Sequence, residues 1–227
     1  MQFKIIKTGS GGNAYLFDEN IMIDCGLPFS HFKDVDFSKI DYILLTHIHG
    51  DHYNSSTIRN IALKHKHIKF ICGEWLKEEL RLTLGGKVDN VRAIEMDKPY
   101  RLGEVVIAGF NAPHDVPNCG YRLMKGKYKH IHVTDISTLY GIEAISYDSA
   151  TIECNHDWGT AIAIAKAKSE EGAFTHLWKA LKSHIDVDEV LKWCDEQGIK
   201  NLTPIHIGKS TSDEVMKKFN DWRKDEN

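Results

Sequence analysis

Three histidines and an aspartate fall within six residues, His47-Ile48-His49-Gly50-Asp51-His52, directly after Thr46. Imidazole nitrogen and carboxylate oxygen together suit zinc, manganese or iron; the set is too nitrogen-rich for calcium or magnesium alone. In extended backbone side chains repeat every two residues, so His47 and His49 are expected to face one side. Gly50 permits a sharp turn that aims Asp51 and His52 back at the same place. Two imidazoles facing one point can hold one metal, and the carboxylate and imidazole just beyond can hold a second. The pattern is too dense and ordered for an incidental polar loop.

The elements that must position these residues read as short β-like runs alternating with longer helical ones. Tyr42–Leu45 is an apolar run of buried-strand type that delivers Thr46 and His47 to its C-terminal tip. Other strands are expected at Phe3–Ile6, Ala14–Phe17, Ile21–Ile23, Ile68–Ile71, Val105–Phe110, Gly120–Met124, Lys129–Val133, Thr151–Cys154 and Asn201–Ile205. Helical spacing covers Thr57–Lys64, Glu74–Leu84, Ala161–Lys168, Val187–Gln197 and Asp213–Trp222. Strands and helices in this order predict an α/β (α+β) protein with helices outside two sheets. The 227 residues fit one domain, or two small ones, and no linker, repeat or charge block divides them.

Composition narrows the class further. With 42% apolar and 27% charged residues the chain is an ordinary globular one, which excludes disorder and rod-like coiled coils. A net charge of −3 gives no bulk electrostatic reason to bind nucleic acid, although a local basic groove remains compatible with it. No apolar run approaches the ~18 residues of a membrane span, and the opening residues do not resemble a secretory signal. Five widely spaced cysteines, Cys25, Cys72, Cys119, Cys154 and Cys194, form neither a disulfide framework nor a zinc knuckle. A cytoplasmic location with reduced thiols is therefore expected. His31, His65, His67, His130, His132 and His176 read as solvated.

The segment Thr46–His52 resembles the T-H-x-H-x-D-H signature of the metallo-β-lactamase fold superfamily without a mismatch. The resemblance covers most of the chain. Asp24, in Ile23-Asp24-Cys25-Gly26, is similar to the first motif, where the aspartate supports the metal loop without being a ligand. His114 in Pro113-His114-Asp115, Asp135 in Thr134-Asp135 and His206 in Ile205-His206 fall where the third, fourth and fifth motifs belong. Gly9-Ser10-Gly11-Gly12-Asn13 and Glu153-Cys154-Asn155-His156-Asp157 look like the G-S-x-x-G-N and E-x-N-H-D segments of the YycJ-like (WalJ) branch, a neighbour of the ribonuclease Z-like enzymes. The resemblance implies a four-layer αββα sandwich of the metallo-β-lactamase type, spanning residues 1–227 as one domain.

The same resemblance implies a cofactor of two divalent ions, zinc first, with manganese or iron also accepted. His47, His49 and His114 would hold one ion, and Asp51, His52 and His206 the other. Asp135 would bridge them, together with a hydroxide that acts as the nucleophile. Asp51 would also orient that nucleophile. His184 would protonate the leaving group or pin a phosphoryl oxygen, although Ser183-His184-Ile185-Asp186 departs from the branch's G-H-L-S pattern and helix capping is an equal alternative. His156 stands as a residue near the substrate or behind the ligands.

Two carboxylates in the ligand set, where true lactamases tend to carry a cysteine at the fourth motif, favour phosphodiester substrates: nucleotides or short single-stranded nucleic acid. The alternative is a thioester or lactone hydrolase of the same fold. A di-iron oxygen reducer is disfavoured, because His49 stands where that group places a glutamate. No membrane partner is expected. Trp158, Trp178 and Trp222 would serve a homodimer or the core equally.

Overall fold

The structure is a computed structural model that describes residues 2–86 and 89–225; the single domain expected over 1–227 extends beyond these at both ends. The chain divides into two compact units. The first runs to Asn111 and takes in Val116–Cys119; the second comprises Ala112–Asp115 and the chain from Gly120 onward.

In the first unit β1 (Phe3–Lys7), β2 (Ala14–Phe17), β3 (Ile21–Ile23), β4 (Tyr42–Leu45), β5 (Lys69–Gly73) and β6 (Val91–Ile94) lie side by side in sequence order. The pairs β1–β2 and β2–β3 are antiparallel, and β3 through β6 are parallel. Ile43, Leu44 and Leu45 of β4 are all fully buried, as a parallel strand with an unbroken apolar run requires. Helices α1 (Ser55–Lys64) and α2 (Glu74–Thr83) set Ile58, Ile61, Leu76 and Leu80 into a cluster with Met22, Ile43, Leu45, Phe70 and Cys72. Asn54 caps α1, its side-chain oxygen accepting from the Thr57 amide at 3.0 Å. An antiparallel hairpin of β7 (Pro99–Leu102) and β8 (Val105–Asn111) completes the unit.

The second unit holds β9 (Cys119–Lys125), β10 (Tyr128–Val133), β11 (Ser149–Glu153) and β12 (Leu202–Ile205) in the order β12-β11-β10-β9. Only β9–β10 is antiparallel. Four helices, α3 (Trp158–Glu170), α4 (Leu177–Ser183), α5 (Val187–Gln197) and α6 (Ser212–Asp225), belong to it. Gly198 ends α5 in the left-handed region at φ 70°, where the absence of a Cβ removes the strain.

The α/β expectation with two mixed sheets holds. Four elements lie outside the sequence expectation, the first a short 3-10 helix at Phe29–Phe32. β6 carries Arg92 inside a short apolar run. β7 opens on Pro99, which can begin a strand but cannot donate within one. α4 has only seven residues, too few for a periodic signal. His130 and His132 are buried rather than solvated: on β10 they bond Ser149 Oγ and Thr151 Oγ1 of β11, as polar side chains in a sheet interior must.

Candidate metal centre

In the first unit the metal-type residues sit on a turn, not on a strand. β4 ends at Leu45, so strand alternation does not place His47 and His49. The turn does: the His52 and Tyr53 amides both donate to the His49 carbonyl, at 2.9 and 2.7 Å. The His47 ring centroid lies 4.9 Å from that of His49 and 4.3 Å from that of His52. His49 and Asp51, on the same turn, are partly exposed, whereas His47 and His52 are fully buried.

The β3 tip braces this turn. Asp24 adopts φ 60°, a left-handed conformation that a short polar residue tolerates. Its buried carboxylate accepts from the Thr46 amide at 2.9 Å, from the Thr46 hydroxyl, and from His52 Nδ1 at 2.6 Å. Backbone bonds from Cys25 to the His52 carbonyl and from Asn54 to the Cys25 carbonyl hold the two segments together. Gly26 is required there: a Cβ would lie 1.7 Å from the Asp51 carbonyl oxygen.

The hydrogen bonds fix the imidazole protons. His52 Nδ1 can only donate to the Asp24 carboxylate, so its Nε2 carries the lone pair. The Thr46 hydroxyl spends its single proton on Asp24, so at 2.9 Å from His47 Nδ1 it accepts. His47 Nε2 therefore also carries a lone pair. These are the tautomers that bind a cation through Nε2 while Nδ1–H is held from behind. Asn13 donates from Nδ2 to His52 Nε2 at 2.8 Å, and its Oδ1 accepts from the Gly9 amide and the Tyr15 hydroxyl. A cation on His52 must share or displace that amide proton.

In the second unit His114, Asp135, His206 and His184 converge with Glu153. Asp135 and His206, just past β10 and β12, also take positive φ, 50° and 51°. His114 Nδ1 donates to the Ser183 carbonyl at 2.9 Å, and His206 Nδ1 to Glu153 Oε1 at 2.8 Å. Both thus present Nε2 lone pairs, and these face different oxygens of one carboxylate: His114 Nε2 lies 3.6 Å from Asp135 Oδ2, and His206 Nε2 3.4 Å from Oδ1. Burial, set against the charge of Asp135, pulls the His114 pKa below its ordinary value, so this ring is neutral at pH 7. Lone pairs facing an anion repel unless a cation lies between them. The donor set therefore fits a divalent metal.

Glu153 was legible only as part of a motif; its role appears in the structure. It is fully buried at the end of β11 and accepts from the Ile136 amide, His184 Nδ1 at 2.6 Å, His206 Nδ1, and Asn155 Nδ2 at 3.1 Å. Burial would raise its pKa, but His184 and His206 outweigh that and hold it below the ordinary value. The converse holds at His184, where burial opposes the charge and Glu153 overcomes it, raising the imidazole pKa. His184 caps the C-terminal end of α4 and stacks on His206, with centroids 5.4 Å apart. His156 is buried nearby.

The five cysteines are free and buried. Burial, with Asp24 beside it, raises the Cys25 thiol far above the thiolate range, so it takes no part as a nucleophile.

Residues 19–207 match the Beta-lactamase superfamily domain. The chain belongs to that family. No curated protein sequence matches it. Among solved structures, the metallo-beta-lactamase fold protein YhfI from Bacillus subtilis aligns at TM-score 0.74 and 17% identity, over 95% of this chain and 90% of that one. The short form of human tRNase Z aligns at 0.71 and 17%, over 92% and 93%. A diphosphatase from the PhnP family aligns at 0.66 and 14%, over 95% and 90%. At these identities the likeness establishes the fold alone, the metallo-β-lactamase fold. The chain is a hydrolase-family member with His/Asp clusters suited to divalent metal. Among the described residues no helix is long and apolar enough to cross a membrane.

Proposed function

We propose that the protein is a dinuclear metal-dependent phosphodiesterase or nuclease acting on nucleotides or short single-stranded nucleic acid, with residues 1–227 working as one domain. His47, His49 and His114 would hold one ion, Asp51, His52 and His206 the other, and Asp135 would serve both. Zinc is the first choice for this nitrogen and oxygen set, and manganese or iron fits the same donors. Five free cysteines agree with a reducing, cytoplasmic setting.

When bound, the ions supply Lewis acidity, lowering the pKa of a water and offsetting charge that grows on a phosphoryl oxygen. The side chains do the rest. Asp51, on the turn edge, orients the nucleophile and accepts its proton. Asp24 and Thr46 keep His52 and His47 in the tautomer that leaves Nε2 available. His184, charged through Glu153, gives a proton to the leaving oxygen, and Glu153 stabilises the imidazolium before that transfer.

The observation that carries this reading is the Glu153–His184 pair at 2.6 Å. A raised-pKa imidazole serves an alkoxide leaving group of a phosphodiester, which needs protonation; a thiolate leaving from a thioester does not. Membership of a family with tRNase Z and the PhnP-type diphosphatase among its structural relatives supports the same substrate class.

The test is turnover of bis-p-nitrophenyl phosphate, a thioester and a chromogenic lactam with Zn²⁺ or Mn²⁺ present. Diester turnover that Asp51→Ala lowers by at least ~10³-fold is the expected result. Turnover of only the thioester overturns the reading in favour of a thioester or lactone hydrolase.

A further inference from the structure

Asn13 ends the Gly9-Ser10-Gly11-Gly12-Asn13 turn, a segment to which the reaction proposed above gives no task. The residue is fully buried, and its polar atoms are bonded throughout. Its backbone amide donates to the Asp51 carbonyl at 2.7 Å, and its backbone carbonyl accepts from the Gly26 amide at 3.0 Å. Oδ1 accepts from the Gly9 amide at 2.8 Å and from the Tyr15 hydroxyl at 2.9 Å. Those donors fix which end of the side chain is oxygen, and the carbonyls of Gly9 and Asp51, 3.2 and 3.1 Å from Nδ2, agree with them. The chain before it is equally confined. Gly12 holds φ 121°, and a Cβ there would lie 2.8 Å from the Gly26 carbonyl oxygen.

This frame aims a proton. Nδ2 stands 2.8 Å from His52 Nε2, its shortest contact, and 3.4 Å from Asp51 Oδ2. Because His52 Nδ1–H is spent on Asp24, Nε2 has a lone pair to offer, so Asn13 donates and the imidazole accepts. That lone pair is the one a cation on His52 would use. A water molecule in the same place would leave for bulk solvent and recover its hydrogen bonds there. Asn13 cannot leave, because its backbone and Oδ1 are held on both sides. Of its two amide protons, one is kept by the backbone carbonyls; the one displaced from His52 turns to Asp51 Oδ2. A cation on His52 therefore costs one short hydrogen bond and redirects its donor onto a neighbouring candidate ligand.

We propose that Asn13 is a latch on the His52 metal position: it competes with the cation for Nε2 and so sets the affinity there, making this position the second to fill and its ion the exchangeable one. The proposal rests on the dinuclear reading above, in which His52 and Asp51 serve the second ion. It differs in sign from a purely structural role. If Asn13 only braced the turn, its removal would loosen Asp51 and His52 and weaken metal binding. Removal of a latch strengthens binding instead. Exchange of one neutral hydrogen bond for a longer one corresponds to about three- to tenfold in affinity.

The experiment titrates the full chain, stripped of metal, with Zn²⁺ against a chromogenic chelator. The wild type is expected to take two ions, the second more weakly. Asn13→Ala keeps the backbone bonds to Asp51 and Gly26. It is expected to tighten the weaker step about three- to tenfold and to leave the tighter step unchanged. Heteronuclear NMR reads the latch in the wild type without a substitution. A coupling across the hydrogen bond between Asn13 Nδ2 and His52 Nε2 is expected in the metal-free protein, persisting through the first equivalent of Zn²⁺ and vanishing with the second. A weaker step that is unchanged or loosened in folded Asn13→Ala overturns the proposal. So does absence of the coupling from the metal-free protein, or its loss with the first equivalent; the spectrum decides alone where the alanine variant does not fold. One ion in the wild type and two in Asn13→Ala uphold the latch while the dinuclear reading of the native chain fails. The expected shift without any diester turnover upholds the latch while the phosphodiesterase reading fails.

Discussion

Each unit is organised around one buried carboxylate, and the two are used differently. Asp24 and Glu153 are both fully buried and both accept an imidazole Nδ1–H at 2.6 Å. Asp24 orients His52 directly and His47 through the Thr46 hydroxyl. Its donors form one continuous turn, closed by backbone bonds. Glu153 orients His206 and His184, which arrive from separate parts of the chain. Only one of these is a proposed ligand; the other has its pKa raised. The same device, a buried anion fixing a tautomer, thus holds a metal ligand in one place and charges a proton donor in the other.

If that contrast is right, the larger effect of the two buried carboxylates belongs to Glu153. Glu153→Gln is expected to lower kcat for a diester with an alkyl leaving group by ~10²-fold or more, and much less for p-nitrophenolate, which leaves unprotonated. An equal loss on both leaving groups would reduce Glu153 to a purely structural role. Asp24→Asn should act on metal instead, weakening affinity ~10–100-fold in a chelator competition, with kcat restored at saturating metal. A loss that excess metal does not recover would break the comparison.

Gly26→Ala sharpens it from the backbone side. The added methyl has no room beside Asp51, so a destabilisation of about 1–3 kcal/mol in denaturant unfolding is expected, with loss of metal. The smallest effect lies away from both hubs. Lys218 bonds Asp157 at 2.6 Å. Burial opposes ionisation of Asp157, but Lys218 and Thr160 outweigh it and hold the pKa down to about 2, from an ordinary 3.8. The stabilisation is therefore present above the ordinary value and lost as pH falls through about 2. Allowing for solvent screening it amounts to about 1 kcal/mol. Asp157→Asn should remove that part of the acid dependence of Tm.

The first hub was more legible in the sequence than the second, for a physical reason. Thr46–His52 is contiguous, and a single apolar strand, Tyr42–Leu45, announces where it must be delivered. His114, Asp135 and His206 carry no local signal, since each is one polar residue at a strand end, and only the family resemblance singled them out. Glu153 ends a strand that is buried throughout, where a carboxylate reads as an anomaly; its meaning depends on His184 and His206, which sequence spacing does not connect to it. His47 and His49 were paired for the wrong reason: the 49–52 turn, not strand alternation, brings their rings together. His130 and His132 were misread because alternating polar residues suggest a solvated edge, whereas β10 lies between β9 and β11 and pairs them with hydroxyls.

The central claim is that ligands from both units serve one pair of ions with Asp135 shared between them. Manganese-substituted protein examined by electron paramagnetic resonance, with metal content measured on the same sample, tests it most directly. Two ions per chain with an exchange-coupled spectrum, reduced to an uncoupled signal by Asp135→Ala, is the predicted result. A single uncoupled ion in the wild type, or a coupled spectrum that survives Asp135→Ala, would contradict it.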